Sequence, residues 1–183
     1  MRILIIDDKP ENRKAAKAQL SEHKLVTVGS YDGGQELVKK KHKFDAVLVD
    51  LLMPASDQQM NFDDPLVGQE MPVGIFLALL AAKNGAKYVV VFSDQSHHEH
   101  PAAACFDAFN RHEVEPTPFM VGDAKILLTN NRNWVKPFCP NDLSREMEHP
   151  EYSRDRDETG GKNTVMAKDW RDPLDYLIAY QAK

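Results

Sequence analysis

Cysteine is scarce in this chain: Cys105 and Cys139 are the only two among 183 residues, and no paired spacing joins them. That argues against a disulfide framework and a cysteine-based zinc site, and makes a reducing, cytoplasmic setting the expectation. Long apolar runs are also missing. The longest, residues 73–82, is far too short to cross a bilayer. A strand-like run begins at Arg2 and leaves no room for a signal peptide, so a soluble protein with no membrane partner is expected. Positive charge is in deficit, with 23 Lys and Arg against 28 Asp and Glu, a net charge of -5 and a pI near 5.8. A nucleic-acid surface needs clustered cations, so nucleic acid is not an expected partner. The basic cluster that does occur, Lys39-Lys40-Lys41-His42-Lys43, closes a predicted helix, where cations suit the helix dipole, and reads as a solvated helix end. With 42% apolar and 28% charged residues, the chain suits one well-buried domain with insertions, and neither two domains nor wholesale disorder.

What the sequence does contain is a set of apolar runs that stop at carboxylates. Phe44-Asp45-Ala46-Val47-Leu48-Val49-Asp50-Leu51-Leu52-Met53-Pro54 holds a core that reads as a strand buried on both faces and ending at Asp50. Ligands of open α/β sheets bind beyond the carboxyl ends of the strands, which places Asp50 well for chemistry; the other reading is an aspartate capping the next turn. Ile3-Leu4-Ile5-Ile6 likewise ends at Asp7-Asp8. Pro10 and Glu11 open a helix with Ala15, Ala16, Ala18 and Leu20 on its apolar stripe. Leu25-Val26-Thr27-Val28 is a strand, and residues 30–43 hold a turn and a second helix. The order βαβαβ predicts a parallel sheet with helices on both faces.

Residues 55–70, with Asp57, Asp63, Asp64 and Pro65, read as an inserted loop lying over the acid-bearing edge. The helix predicted over 72–83 is apolar on nearly every side and needs cover from the insertions or from a second subunit in a homodimer. Asn84-Gly85 ends it, and Tyr88-Val89-Val90-Val91-Phe92 is the clearest strand, ending at Ser93-Asp94. Residues 101–110 read as a short helix, and Lys125-Ile126-Leu127-Leu128-Thr129 as a further strand. Residues 130–163 are polar and irregular and read as either a surface excursion or a partly disordered segment, with charges alternating from Glu146 to Glu158 and Gly160-Gly161 near the end. Thr164-Val165-Met166-Ala167 and a last helix with Trp170, Leu174, Leu177 and Ile178 on one face complete the chain.

The assembled edge would hold Asp7, Asp8, Asp50 and Ser93. Three carboxylates in one crevice call for a cation, and hard oxygen ligands favour Mg²⁺. A carboxylate beside such an ion can act as a nucleophile toward phosphorus.

Ile-Leu-Ile-Ile-Asp-Asp at the start, Val-Leu-Val-Asp-Leu-Leu-Met-Pro in the middle and Val-Val-Val-Phe-Ser at the fourth strand resemble the receiver domain of two-component response regulators. The similarity covers residues 1–54, returns over 87–93 and is weak elsewhere. It implies a single receiver-like domain over 1–183: a flavodoxin-like, doubly wound, five-stranded parallel α/β sheet with insertions near 55–70 and 130–163. It also implies that Asp50 is the phosphoacceptor, that Asp7, Asp8, Asp50 and the carbonyl of Leu52 hold Mg²⁺, and that Ser93 is the switch hydroxyl. A histidine kinase or phosphotransfer protein would be the donor, and output would pass to a downstream protein partner.

The family also places a lysine after the fifth strand, and two compete. Trp134-Val135-Lys136-Pro137-Phe138 has the family's Lys-Pro-Phe lettering but follows the poor strand Asn130-Asn131-Arg132-Asn133. Lys168 lacks the proline, yet follows Thr164 to Ala167, has Gly161 seven residues earlier and leads into the terminal helix, and is slightly favoured. Lys125 to Thr129 is then either an extra strand or the fifth strand itself, with the lysine reaching in from beyond it. Asp94 departs from the small residue usual there and would repel a phosphoryl group. An unphosphorylated interaction module is therefore the alternative. A metal-dependent phosphohydrolase is less favoured, because Leu52 stands where a haloacid-dehalogenase-like site needs an acid. His97, His98 and His100, with Glu99 and Cys105, read as a polar loop rather than a transition-metal site, Cys105 as a small buried residue, and Trp134 and Trp170 as packing residues.

Overall fold

The structure, a computed structural model, describes residues 1–56, 65–109, 116–130, 132–139 and 164–181. The expectations placed on Asp57, Asp63, Asp64, Glu146 to Glu158 and Gly160-Gly161 lie outside them. In chain order the elements begin with β1 (Arg2–Ile6), α1 (Pro10–Gln19), β2 (Lys24–Val28), α2 (Tyr31–Val38) and β3 (Ala46–Asp50). Next come β4 (Met53–Pro54), β5 (Glu70–Met71), α3 (Gly74–Lys83), β6 (Tyr88–Phe92) and α4 (Pro101–Ala104), the last running on into a 3₁₀ turn at Cys105–Phe109. The chain then forms β7 (Phe119–Val121), β8 (Ala124–Thr129), β9 (Val135–Phe138), β10 (Val165–Lys168) and α5 (Arg171–Ala179).

The core is one six-stranded sheet in the order β2-β1-β3-β6-β8-β7, parallel throughout except for β7. Period-two alternation of the strands supplies both faces. Leu4, Ile6, Val47, Val49, Val89 and Val91 pack with Val38 of α2 and with Leu77, Ala78 and Ala81 of α3. Ile3, Ile5, Leu48, Val90 and Phe92 pack on the other side with Ala16 of α1, Trp170, and Leu174 and Leu177 of α5. Each such aliphatic contributes roughly 1.5–3 kcal/mol relative to exposure, so burial on both faces explains the unbroken apolar runs. From β1 the chain steps outward to β2 and then returns to the other side of β1 as β3. The carboxyl ends of β1 and β3 therefore flank the crevice where the strand order reverses.

Several expectations are corrected. Six strands replace five, and the sheet is mixed, because β7 folds back antiparallel on β8 through a turn at Gly122, whose φ is 60°. Phe119-Met120-Val121 is too short a run to read as a strand unaided. Residues 125–129 belong to β8, beside β6 in the main sheet, whereas β10 lies outside it and pairs antiparallel with β9. The helix read over 72–83 begins at Gly74, since Val73 is its N-cap. Within 101–109 only one α-helical turn forms before the 3₁₀ turn. Cys105 is exposed, on the outer side of that turn, where its thiol faces the Pro101 carbonyl. Ile178 is 37% exposed and stands apart from the buried face of α5, while Phe76 and Leu79 on α3 are 60% and 46% exposed. Among the described residues, no helix is long and apolar enough to cross a membrane.

One glycine positions the site directly. The Gly74 N–H donates to Leu51 O at 3.0 Å, and a Cβ at residue 74 would fall 1.9 Å from the backbone oxygen of Asp50. The first turn of α3 is thus laid against the backbone that carries Asp50, at a separation only glycine permits. Gly74→Ala should force the two apart and destabilise by about 3 kcal/mol, lowering the melting temperature by roughly 6–12 °C in a thermal scan.

Candidate functional site

Parallel pairing of β1, β3 and β6 brings three strand ends to one edge and carries Asp7, Asp8, Asp50 and Ser93 there. Carboxylate oxygens of Asp7, Asp8 and Asp50 all lie within 4.8 Å of one another. Asp7 and Asp50 are buried, as is Ser93, while Asp8 is half-buried. Into this cluster comes Lys168, wholly buried, with Nζ 2.7 Å from Asp50 Oδ1 and 2.9 Å from Asp7 Oδ2. Lys136, the competing lysine, lies elsewhere: it contacts Asp169 and Asp172, each at 2.6 Å, and ties the hairpin of β9 and β10 to the start of α5.

The charges explain the titration of the group at the centre. Burial pushes the Asp50 carboxyl up, the Lys168 cation opposes this, and the nearby Asp7 adds to it, leaving Asp50 raised to about 7. Burial alone would push the Lys168 ammonium down, but Asp50, Asp7 and Asp94 outweigh it and hold it above the usual lysine range. Asp8 is raised by its burial and by Asp7. Its Oδ1 is buried and has no hydrogen-bond partner among the described residues. An orphaned carboxylate oxygen beside two further carboxylates is a donor set that fits a hard divalent cation, since a single buried ammonium leaves negative charge in excess.

The backbone completes the arrangement. Leu52 N–H donates to Asp50 Oδ1 at 3.3 Å, so the turn-capping reading of Asp50 is realised alongside its place in the acid cluster. Leu52 is buried directly after that strand end. Ser93 Oγ accepts from Gln95 N–H at 3.2 Å, and Ser93 N–H donates to Thr129 O at 2.9 Å, which fixes the residue at the end of β6. Asp94 pairs with Lys9 at 2.6 Å. Lys9 and Lys168 together hold the Asp94 carboxyl below its ordinary range against its own burial.

Sequence reasoning passed over Asn12. Its Nδ2 lies 3.1 Å from both oxygens of Asp7, its Oδ1 accepts Lys168 N–H at 3.0 Å, and its carbonyl accepts Trp170 Nε1–H at 3.1 Å. The signal was present: Asn12 falls three and four positions before Ala15 and Ala16, a polar residue on the buried stripe of α1. Gln19, two turns on, accepts Trp170 N–H and donates to Lys168 O. These contacts hold β10 against α1, so the lysine reaches Asp50 although its strand lies outside the sheet.

Other candidates are dispersed. His97 pairs with Asp107 at 3.1 Å and meets His98 through the ring nitrogens at 2.7 Å, whereas His100 Nδ1 caps α4 by accepting Ala102 N–H. Among the described residues, Asp7, Asp8 and Asp50 are the cluster able to hold a metal. Trp170 is fully buried and meets Phe92 edge to face, while Trp134 packs on Tyr176. A surface hollow of about 480 Å³ opens between Asp8, Ser30, Tyr31, Asp32, Glu36 and Pro54, to one side of Asp50. Compared with protein-family models, curated proteins and solved structures, the chain finds no match.

Two outcomes follow from the buried ion pairs. Lys168→Met leaves Asp7 and Asp50 without their ammonium and should destabilise by about 3–5 kcal/mol in urea titrations, whereas Lys136→Met, at a partly exposed bridge, should cost about 1 kcal/mol or less. In metal-free protein with ¹³C-labelled aspartate carboxyls, Asp50 should take up its proton as the pH falls through about 7. The same titration in Lys168→Met should shift to higher pH, because the cation that favours the carboxylate is gone.

Proposed function

We propose that this protein carries a receiver-like signalling domain that accepts a phosphoryl group on Asp50 and relays the change through protein contacts. The observation that carries the reading is the contact of Lys168 with Asp50 and Asp7 at 2.7 and 2.9 Å, at the edge where Asp8 and Ser93 also stand. The flavodoxin-like description rests on the parallel order β2-β1-β3-β6-β8, with β7 as an addition at its edge.

In this reading an Asp50 oxygen attacks phosphorus as the bond to the donor's leaving atom breaks. Lys168 offsets charge on Asp50 and on the transferred group, and the Ser93 hydroxyl, freed from Gln95, turns to a phosphoryl oxygen. Asp7, Asp8, Asp50 and the carbonyl of Leu52 would hold Mg²⁺, which when bound neutralises charge on the transferring phosphoryl group. The donor is a histidine kinase or phosphotransfer protein. Because Asn12, Gln19 and Trp170 link Lys168 to α1, a change at Asp50 reaches the hairpin of β9 and β10 and helix α5, which makes that side a route to a downstream partner.

Incubation with acetyl phosphate and Mg²⁺ followed by intact-mass measurement should add one phosphoryl group to the parent and none to Asp50→Asn. Lys168→Ala should slow the uptake by at least about tenfold, and Lys136→Ala should leave it nearly unchanged, as expected when only one lysine meets the reacting carboxylate. An unmodified parent that still binds a protein partner after Asp50→Ala would favour the interaction-module reading. Repeated turnover of a phosphate ester would favour a hydrolase.

A further inference from the structure

Lys9 follows the acid pair after β1, and Asp94 follows Ser93 after β6. Strand β3 lies between β1 and β6 in the sheet, so an ion pair joining those two connections crosses the end of β3, where Asp50 stands. Lys9 Nζ and Asp94 Oδ2 close that crossing at 2.6 Å. The pair is the outer layer of the site, 33% and 24% exposed, over a Lys168 with no exposure. A phosphoryl group approaching Asp50 from solvent meets a fixed carboxylate, and the ammonium that would attract it is already bound to that carboxylate.

On the phosphoacceptor reading of Asp50, we propose that the Lys9–Asp94 pair is a gate that selects the phosphoryl donor. Asp94 holds off free anionic donors and keeps Lys9 occupied. A protein donor that presents a basic side chain to Asp94 opens the pair and frees Lys9 to bind the phosphoryl oxygens. In the transfer, an Asp50 oxygen forms the bond to phosphorus while the phosphorus–nitrogen bond of the donor's phosphohistidine breaks. The bonding electrons leave with the imidazole nitrogen, which ends protonated by solvent, and Lys9 exchanges one anionic partner for another.

The test measures Asp50 phosphorylation by acetyl phosphate with Mg²⁺, and beryllofluoride affinity, in the parent, Asp94→Ala, Asp94→Asn and Asp94→Ala combined with Lys9→Met. Asp94→Asn keeps the side-chain shape and isolates the charge. Both single variants should react about tenfold faster than the parent and bind beryllofluoride more tightly, and adding Lys9→Met should reverse most of that gain. With a phosphohistidine peptide flanked by arginine, the parent should react about tenfold faster than with the same peptide carrying alanine, and Asp94→Ala should lose the preference. A parent that is phosphorylated, with Asp94→Ala within about twofold of it, overturns the gate and leaves the receiver reading standing. If no variant accepts a phosphoryl group or beryllofluoride, the receiver reading fails and the gate with it.

Discussion

Lys168 has no exposed surface, and its ammonium lies between two carboxylates, those of Asp7 and Asp50, that are themselves buried. Taking such groups out of water is costly, and geometry this close offsets the cost only if every partner is held in place. The surrounding contacts supply that constraint. Asn12 fixes both oxygens of Asp7 and the Lys168 backbone, Gln19 brackets Lys168 and Trp170, and Gly74 lets α3 close against the backbone of Asp50. The ion triad and the packing of α1, β10 and α3 are therefore one problem with one solution.

Its placement gives the site two layers with different physics. Below, in low dielectric, burial raises Asp50 against the pull of Lys168 and, together with the neighbouring Asp7, raises Asp8, whose Oδ1 has no hydrogen-bond partner among the described residues. Above, in contact with solvent, Lys9 and Asp94 form a partly exposed pair, screened more strongly by salt than the buried one. On the proposed reading, the lower layer is the reaction centre and the upper one selects among approaching groups. The rest of the edge follows the same division, with Ser93 buried and held through Thr129 and Gln95.

Residue by residue, the sequence was most informative where local pattern and burial agree. The runs ending at Asp7, Asp50 and Ser93 read as strands because residues buried on both faces must be apolar, and the acid that ends such a run marks the sheet edge. Asn12 was passed over because a polar residue on an otherwise apolar helix stripe has no local partner to announce it; its partners are 5 and 156 positions away. Phe119-Met120-Val121 was passed over because three residues carry too little periodicity, and their pairing with β8 is set by the turn at Gly122. Cys105 was misjudged because cysteine is usually buried, whereas the short α4 and its 3₁₀ turn direct it outward.

What the sequence by itself determined is the set of acid-terminated parallel strands and hence the convergence of Asp7, Asp8, Asp50 and Ser93, since strand periodicity and the βαβ crossover are local consequences of side-chain pattern. Only the tertiary structure decided between Lys136 and Lys168. Both lie on neighbouring paired strands; the Lys-Pro-Phe lettering pointed to the first, while the run before Lys168 and the helix after it slightly favoured the second. The choice depends on which of them the contacts of α1, more than a hundred residues earlier in the chain, draw beneath Asp50, and no local propensity encodes a long-range hydrogen bond between Asn12 and the backbone of Lys168.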